Sequence, residues 1–187
     1  MNLYHRRYCR SEEWATALDQ FILPSVLREV ELGDNLLEVG PGPGLTTDLL
    51  RQRVPRMTAI EIEKGPAEKL AARLAGTNVT VVNGDATAMP FDNATFSGAV
   101  SLTMLHHVPS AALQDRLLAE VARVLKPGAT FAGCDSTVSF RFRVYHLFDT
   151  MVLVDPAGFA GRLERAGFRD IVVTPRKGSF KWRATRA

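Results

Sequence analysis

The chain has 187 residues and a mass of 20.6 kDa, the size of one domain. It is 46% hydrophobic and 23% charged, which excludes disordered and collagen-like chains. It lacks a run of about 20 apolar residues, and residues 1–10 are polar and basic with no apolar segment behind them, so neither a spanning helix nor a secretory leader is expected and the expected location is the cytoplasm.

From Ser11 to Val30 apolar residues recur at helical spacing, with Ser11 as the expected N-cap and a break at Pro24. Asn35 to Val39 is a short apolar run that ends at Gly40, and Leu45 to Arg53 resumes helical spacing. The same alternation follows. Met57 to Ile62 predicts a strand, Pro66 to Ala75 a helix, and Val79 to Asn83 a third strand. Ala94 to Leu102 predicts a fourth strand and Ala111 to Leu125 an amphipathic helix. Lys126-Pro127-Gly128 reads as a turn before a fifth strand, Thr130 to Cys134.

Beyond Asp135 the pattern loosens. Phe140 to Leu153 is aromatic-rich and predicts a helix, as does Pro156 to Ala166. Arg169 to Thr174 and Ser179 to Thr185 predict two strands paired antiparallel around Lys177-Gly178. Strands alternating with helices imply a parallel sheet covered on both faces, hence a three-layer α/β fold. Cys9 and Cys134 form neither a C-x-x-C pair nor metal-ligand spacing, so free thiols and no metal site are expected.

The richest segment is Glu38-Val39-Gly40-Pro41-Gly42-Pro43-Gly44. Glycines between a strand and a helix let backbone approach a ligand without a Cβ in the way, and the helix start adds free N–H groups. A nucleotide or nucleoside is the natural guest. The dinucleotide fingerprint G-x-G-x-x-G is not met, because the third glycine falls at Gly44 and position 45 is leucine. Glu61 ends the second strand, where an acid accepts the hydroxyl hydrogens of a ribose. Gly84-Asp85-Ala86 ends the third, where Asp85 is suited to an adenine amino group or, more plainly, to a turn. Parallel strands share one C-terminal edge, so these three segments converge on one cleft.

Taken with Met89-Pro90-Phe91, Leu102-Thr103-Met104-Leu105-His106-His107-Val108 and Val124-Leu125-Lys126-Pro127-Gly128, these residues resemble the class I S-adenosylmethionine-dependent methyltransferases, of the small-molecule type that includes the ubiquinone and menaquinone methyltransferases. The resemblance covers about residues 35 to 134. It implies a Rossmann-like sheet of seven mostly parallel strands with the last antiparallel. It also implies a single methyltransferase domain over 1–187, with a helical lid at 1–30, a cofactor core at 35–134 and a second lid at 136–155.

By the same resemblance Glu61 holds the ribose hydroxyls and Asp85 the adenine amine, while Ile62 and Ala86 border the adenine. Gly40 and Gly42 approach the methionine part, and Glu38 lies near its ammonium, directly or through water. Pro41, Gly44 and Leu102 complete the cofactor set. The cofactor is expected to be S-adenosylmethionine, whose sulfonium makes its methyl group electrophilic, so the protein chiefly aligns a nucleophile and excludes water.

A base helps where the acceptor is a hydroxyl. His106 and His107 follow the fourth strand at the right edge and are candidates for that role, for lining the pocket, or for helix-start packing. Tyr4, Tyr8, Trp14 and residues 140–151, His146 among them, are expected to surround a hydrophobic small molecule. Methyltransferases acting on base amino groups usually carry Asn/Asp-Pro-Pro-aromatic after strand four; Leu102-Thr103-Met104-Leu105 stands there instead, which argues against nucleic acid. Two alternatives stay open: a protein that binds the cofactor without transferring methyl groups, and an NAD-dependent oxidoreductase. The net charge of +3 is uneven: residues 11–140 hold 10 basic against 16 acidic side chains, whereas 141–187 hold 10 against 4. Scattered basic residues read as a solvated face; on the acceptor side they favour an anionic or aromatic small molecule.

Overall fold

A computed structural model describes residues 7–9, 11–137 and 150–187. Helix α1 (Glu12–Ala17) runs through a π turn (Leu18–Ile22) into α2 (Leu23–Val26). Ser11 caps α1 as its spacing predicts, its hydroxyl accepting the Trp14 amide hydrogen at 3.1 Å. The break falls before Pro24 rather than at it, because the widened π turn gives the proline ring room against the carbonyl behind it.

Then follow β1 (Asn35–Val39), α3 (Leu45–Leu50), β2 (Arg56–Glu61), α4 (Lys64–Arg73), β3 (Val79–Asn83) and β4 (Phe96–Leu102). A 3-10 turn (Leu105–His107) leads into α5 (Ala111–Val124) and β5 (Leu125–Ser136). After residue 150 come α6 (Pro156–Arg165), β6 (Phe168–Arg176) and β7 (Ser179–Arg186).

The strands form one sheet in the order β3-β2-β1-β4-β5-β7-β6. The pairs among β1 to β5 are parallel; β7 lies antiparallel between β5 and β6. This is the expected Rossmann-like architecture, and the order reverses at β1 and β4, where such sheets open a crevice. Alternation along β1 sends Leu37 and Val39 into the core under α5 and α6, with Phe131, Phe159 and Trp182. Leu36 joins the opposite core with Leu23, Leu50 and Val100.

Two expectations change. Lys126-Pro127-Gly128 is no free turn but the start of β5: Leu125 already pairs with Phe96, and Gly128 takes φ +81° where the register shifts. Of the expected helix Phe140 to Leu153, residues 140–149 lie outside the described residues, and 150–153 are not helical. There the Val152 backbone amide donates to the His106 carbonyl at 2.8 Å, and Gln114 Nε2 donates to the Val152 carbonyl at 2.7 Å. Cys9 and Cys134 are free, and burial pushes their thiols up to about 11 and about 12. Among the described residues no helix is long and apolar enough to cross a membrane.

Candidate functional site

The turn after β1 is built for close approach. Gly40, Gly42 and Gly44 take φ of +73°, +55° and +86°, in the left-handed region. A side chain on Gly40 would run into Met104, and one on Gly44 into Leu70 and Arg73. Arg73 of α4 grips the turn from behind, donating to Asp48 at 2.6 and 2.8 Å and to the Pro43 and Gly44 carbonyls at 3.3 Å.

The acidic end of β2 meets this turn. Glu61, 8% exposed, accepts the Gly42 amide hydrogen at 3.1 Å on one oxygen and that of Glu63 at 3.0 Å on the other. A carboxylate accepts about four hydrogen bonds, so each oxygen keeps capacity for a ligand hydroxyl. Asp85, after β3, caps its own turn by accepting from the Thr87 amide at 2.8 Å. The segment that follows it is held by Arg123, which donates to the Met89 and Phe91 carbonyls at 3.0 and 2.7 Å, while Glu120 accepts the Met89 amide.

A cavity of about 1110 Å³ joins these pieces along the C-terminal edge of the sheet. Gly40, Pro41, Gly42, Glu61, Ile62, Asp85, Ala86 and Leu102 line it, and so do Tyr8, Trp14, His106 and His107. Ile62 is 67% exposed there, an apolar side chain with little protein over it. Tyr4 and residues 140–149, His146 included, lie outside the described residues.

Glu38 and Gly44 are not in the lining. Gly44 instead packs against α4. Glu38, 2% exposed, stands behind Thr46, which does line the cavity; the Thr46 and Thr47 hydroxyls both donate to its carboxylate, Thr47 at 2.6 Å. Burial pushes its carboxyl up to about 7, opposed by those two hydrogen bonds and assisted by Asp48 and Glu61. An influence on a ligand would therefore pass through Thr46.

Sequence reasoning missed Asp135. Its carboxylate accepts from His106 Nδ1 at 2.5 Å and from the His106 backbone amide at 3.0 Å. It also missed Arg73, because a lone basic residue in a helix carries no pattern.

A family model described as a methyltransferase domain matches residues 37–133. The chain belongs to the methyltransferase-domain family. This enzyme's cofactor is S-adenosylmethionine, and the oxidoreductase and non-catalytic alternatives fall away. Ribosomal RNA small subunit methyltransferase A of Cupriavidus taiwanensis is 28% identical over 193 residues, which cover 91% of this chain and 68% of that protein. An uncharacterized methyltransferase of Mycobacterium bovis is 29% identical over 113 residues, which cover 60% of this chain and 56% of that one, so this chain spans about half the length of that relative. A solved S-adenosylmethionine-dependent methyltransferase from Aquifex aeolicus shares the fold over the full length of both chains, with a TM-score of 0.78 at 20% identity.

The methyltransferase cavity fits the cofactor on its own terms. Its volume lies at the upper end of small-molecule sites, which run to roughly 1,000 Å³. Open space lies where a Cβ on Gly42 would stand, beside the acid Glu61 and the uncovered Ile62. These are the features a nucleoside with a charged tail requires.

Proposed function

We propose that the enzyme transfers the methyl group of S-adenosylmethionine to a small-molecule acceptor, aromatic or anionic, bound in the half of the cavity away from the glycine turn. The carrying observation is the mixed lining: Gly40, Gly42, Glu61 and Asp85 share one cavity with Trp14, Thr150 and Lys177. Trp14 packs against Tyr8 with ring centroids 5.5 Å apart, an aromatic wall suited to a flat guest. Lys177, on the turn between β6 and β7, supplies a cation for an anionic substituent.

In this reading Glu61 takes the ribose hydroxyls, Asp85 the adenine amine, and Ile62 and Ala86 the faces of the adenine ring. Gly40, Pro41 and Gly42 pass the methionine part, Leu102 borders the cleft, and Glu38 acts on the ammonium through Thr46. The bound cofactor supplies an electrophilic methyl group. The chain's residues align the acceptor with it and exclude water. Of the segments expected to act as lids, Tyr8, Trp14, Ser136 and Thr150 border the cavity.

A second reading, an RNA acceptor, draws support from the named activity of the Cupriavidus taiwanensis relative and from the β6–β7 face. Partial burial, then the guanidiniums of Arg176 and Arg28, hold the Lys181 amine below its ordinary range, which marks a crowded cationic patch. One experiment separates the two. The protein is incubated with isotopically labelled S-adenosylmethionine and fractionated cell extract; label in the low-mass fraction supports the small acceptor, and label confined to RNA overturns it.

A further inference from the structure

The strand order sorts the charges around the cavity. Its carboxylates Glu61, Glu63 and Asp85 follow from the ends of β2 and β3, whereas Lys177 stands on the turn between β6 and β7, towards the other end of the sheet. Glu13 of α1 is the remaining acid of the lining. The strands β1, β4 and β5 separate β2 from β7, so about 19 Å lies between those two ends. An anion drawn to Lys177 is thus kept away from the acids at β2 and β3.

Strand register extends the cationic end beyond Lys177. Ser136 lines the cavity and stands opposite Ser179 on β7, which in turn stands opposite Arg176 on β6. Directly opposed residues share a face, so these three side chains form one row. In the next row Lys181 stands opposite Cys134, and it is the diagonal neighbour of Arg176, about 7–8 Å away. Phe180 and Trp182 turn into the core on the other face, which leaves the hydroxyls and cations together on the side of α2. Lys181 is anchored there by donating to the Ser25 carbonyl at 2.6 Å, which uses one of its three ammonium hydrogens. Arg176 and Lys177 are exposed and form no ion pair among the described residues. The turn itself is stitched to the end of β5, because the Thr137 amide donates to the Gly178 carbonyl at 3.0 Å, and the space where a Cβ on Gly178 would stand is open.

We propose that the methyl acceptor carries a phosphate monoester, and that Arg176, Lys177 and Lys181, with the hydroxyls of Ser136 and Ser179, form its subsite at the mouth of the cavity. The proposal rests on the methyl-transfer reading above and names the anion which that reading leaves open. A carboxylate bears one charge, and a single guanidinium fork matches it. A phosphate monoester bears a charge of about −1.5 to −2 near pH 7 and has three strong acceptor oxygens, so it can engage a guanidinium, an ammonium and a hydroxyl at once.

The test first titrates the full chain with S-adenosylhomocysteine and then, with that ligand saturating, with three compounds that share one ring: phenyl phosphate, benzoate and benzamide. Phenyl phosphate is expected to bind at least about 10-fold more tightly than benzoate, and benzoate more tightly than benzamide. Combining Arg176→Gln with Lys177→Gln should remove the preference for phenyl phosphate. Both side chains are exposed, so the melting temperature should hold, and affinity for S-adenosylhomocysteine should change by less than about 2-fold. A wild type that binds none of the three, or binds benzoate as tightly as phenyl phosphate, overturns the phosphate subsite alone, as does a double variant that keeps the preference. An oligouridylate of about eight nucleotides that binds more tightly than phenyl phosphate, and is weakened by the same substitutions, overturns the monoester in favour of a nucleic-acid backbone. Failure to bind S-adenosylhomocysteine overturns the methyl-transfer reading itself.

Discussion

The amide hydrogen of Gly42 is bonded at 3.1 Å to the carboxylate of Glu61, so the glycine turn after β1 and the acidic end of β2 are joined before any ligand arrives. Groups held in place beforehand cost less entropy to bind.

Removing that acid should hurt twice. Glu61→Ala leaves the Gly42 and Glu63 amides without their acceptor and takes away the proposed ribose contact. We expect cofactor affinity to fall by roughly 1–3 kcal/mol. Titration calorimetry with S-adenosylhomocysteine checks this; unchanged affinity would take Glu61 out of the site.

Ile62 offers a cleaner separation of binding from stability. At 67% exposure it buries little in the ligand-free chain, so Ile62→Ser should change stability by less than about 0.5 kcal/mol. If an adenine ring covers it, affinity for S-adenosylhomocysteine should nonetheless fall several-fold. Thermal melts with and without ligand read both quantities, and an equal ligand-induced shift in the two proteins would place the ring elsewhere.

Glu38 sets a pH dependence. Burial raises its carboxyl to about 7 in the folded chain, so folding tightens its hold on the proton. The matching stability is fully present below the ordinary value near about 4.3 and is lost as pH rises through about 7, on the order of 3 kcal/mol as an upper limit. Wild-type melting temperature should therefore decline between about pH 4.5 and about pH 7 relative to Glu38→Gln, whose curve lacks this component, and the two should run parallel at higher pH. Parallel curves over the whole range would show that Glu38 does not titrate there.

The contact between Gly40 and Met104 predicts a coupled pair. Gly40→Ala places a methyl group on a left-handed residue and against the Met104 side chain, and should cost about 1–3 kcal/mol. Met104→Ala opens the space but not the backbone, so the double variant should recover part of the loss. A double-mutant cycle by denaturant unfolding measures it, and strict additivity would mean that the methionine simply moves aside.

Much of this was legible in the sequence because parallel strands put their ends on one edge. Gly40, Glu61 and Asp85 are far apart in the chain, yet strand alternation alone is enough to bring them together. β1 and β3 run over the residues expected of them, since short apolar runs bounded by turn residues leave little choice. Lys126-Pro127-Gly128 misled because proline and glycine are tolerated where a strand begins irregularly, which only the pairing of Leu125 with Phe96 reveals. Asp135 was invisible for another reason: an acid near the end of a strand has no signature, and its partner lies 29 residues away in the 3-10 turn after a neighbouring strand. Glu38 carried a motif, but its distance from the cavity depends on which way Thr46 turns.

The placement of β7 between β5 and β6 constrains how the molecule comes together. Among the described residues β6 pairs with the sheet only through β7, so it cannot join before its successor has been made. The two strands, closed by the short turn at Lys177-Gly178, form a local hairpin that can assemble on its own in microseconds and then dock onto β5 as a unit. Lys177 would reach the mouth of the cavity only at that docking step, so in folding the acceptor side would be finished after the cofactor side.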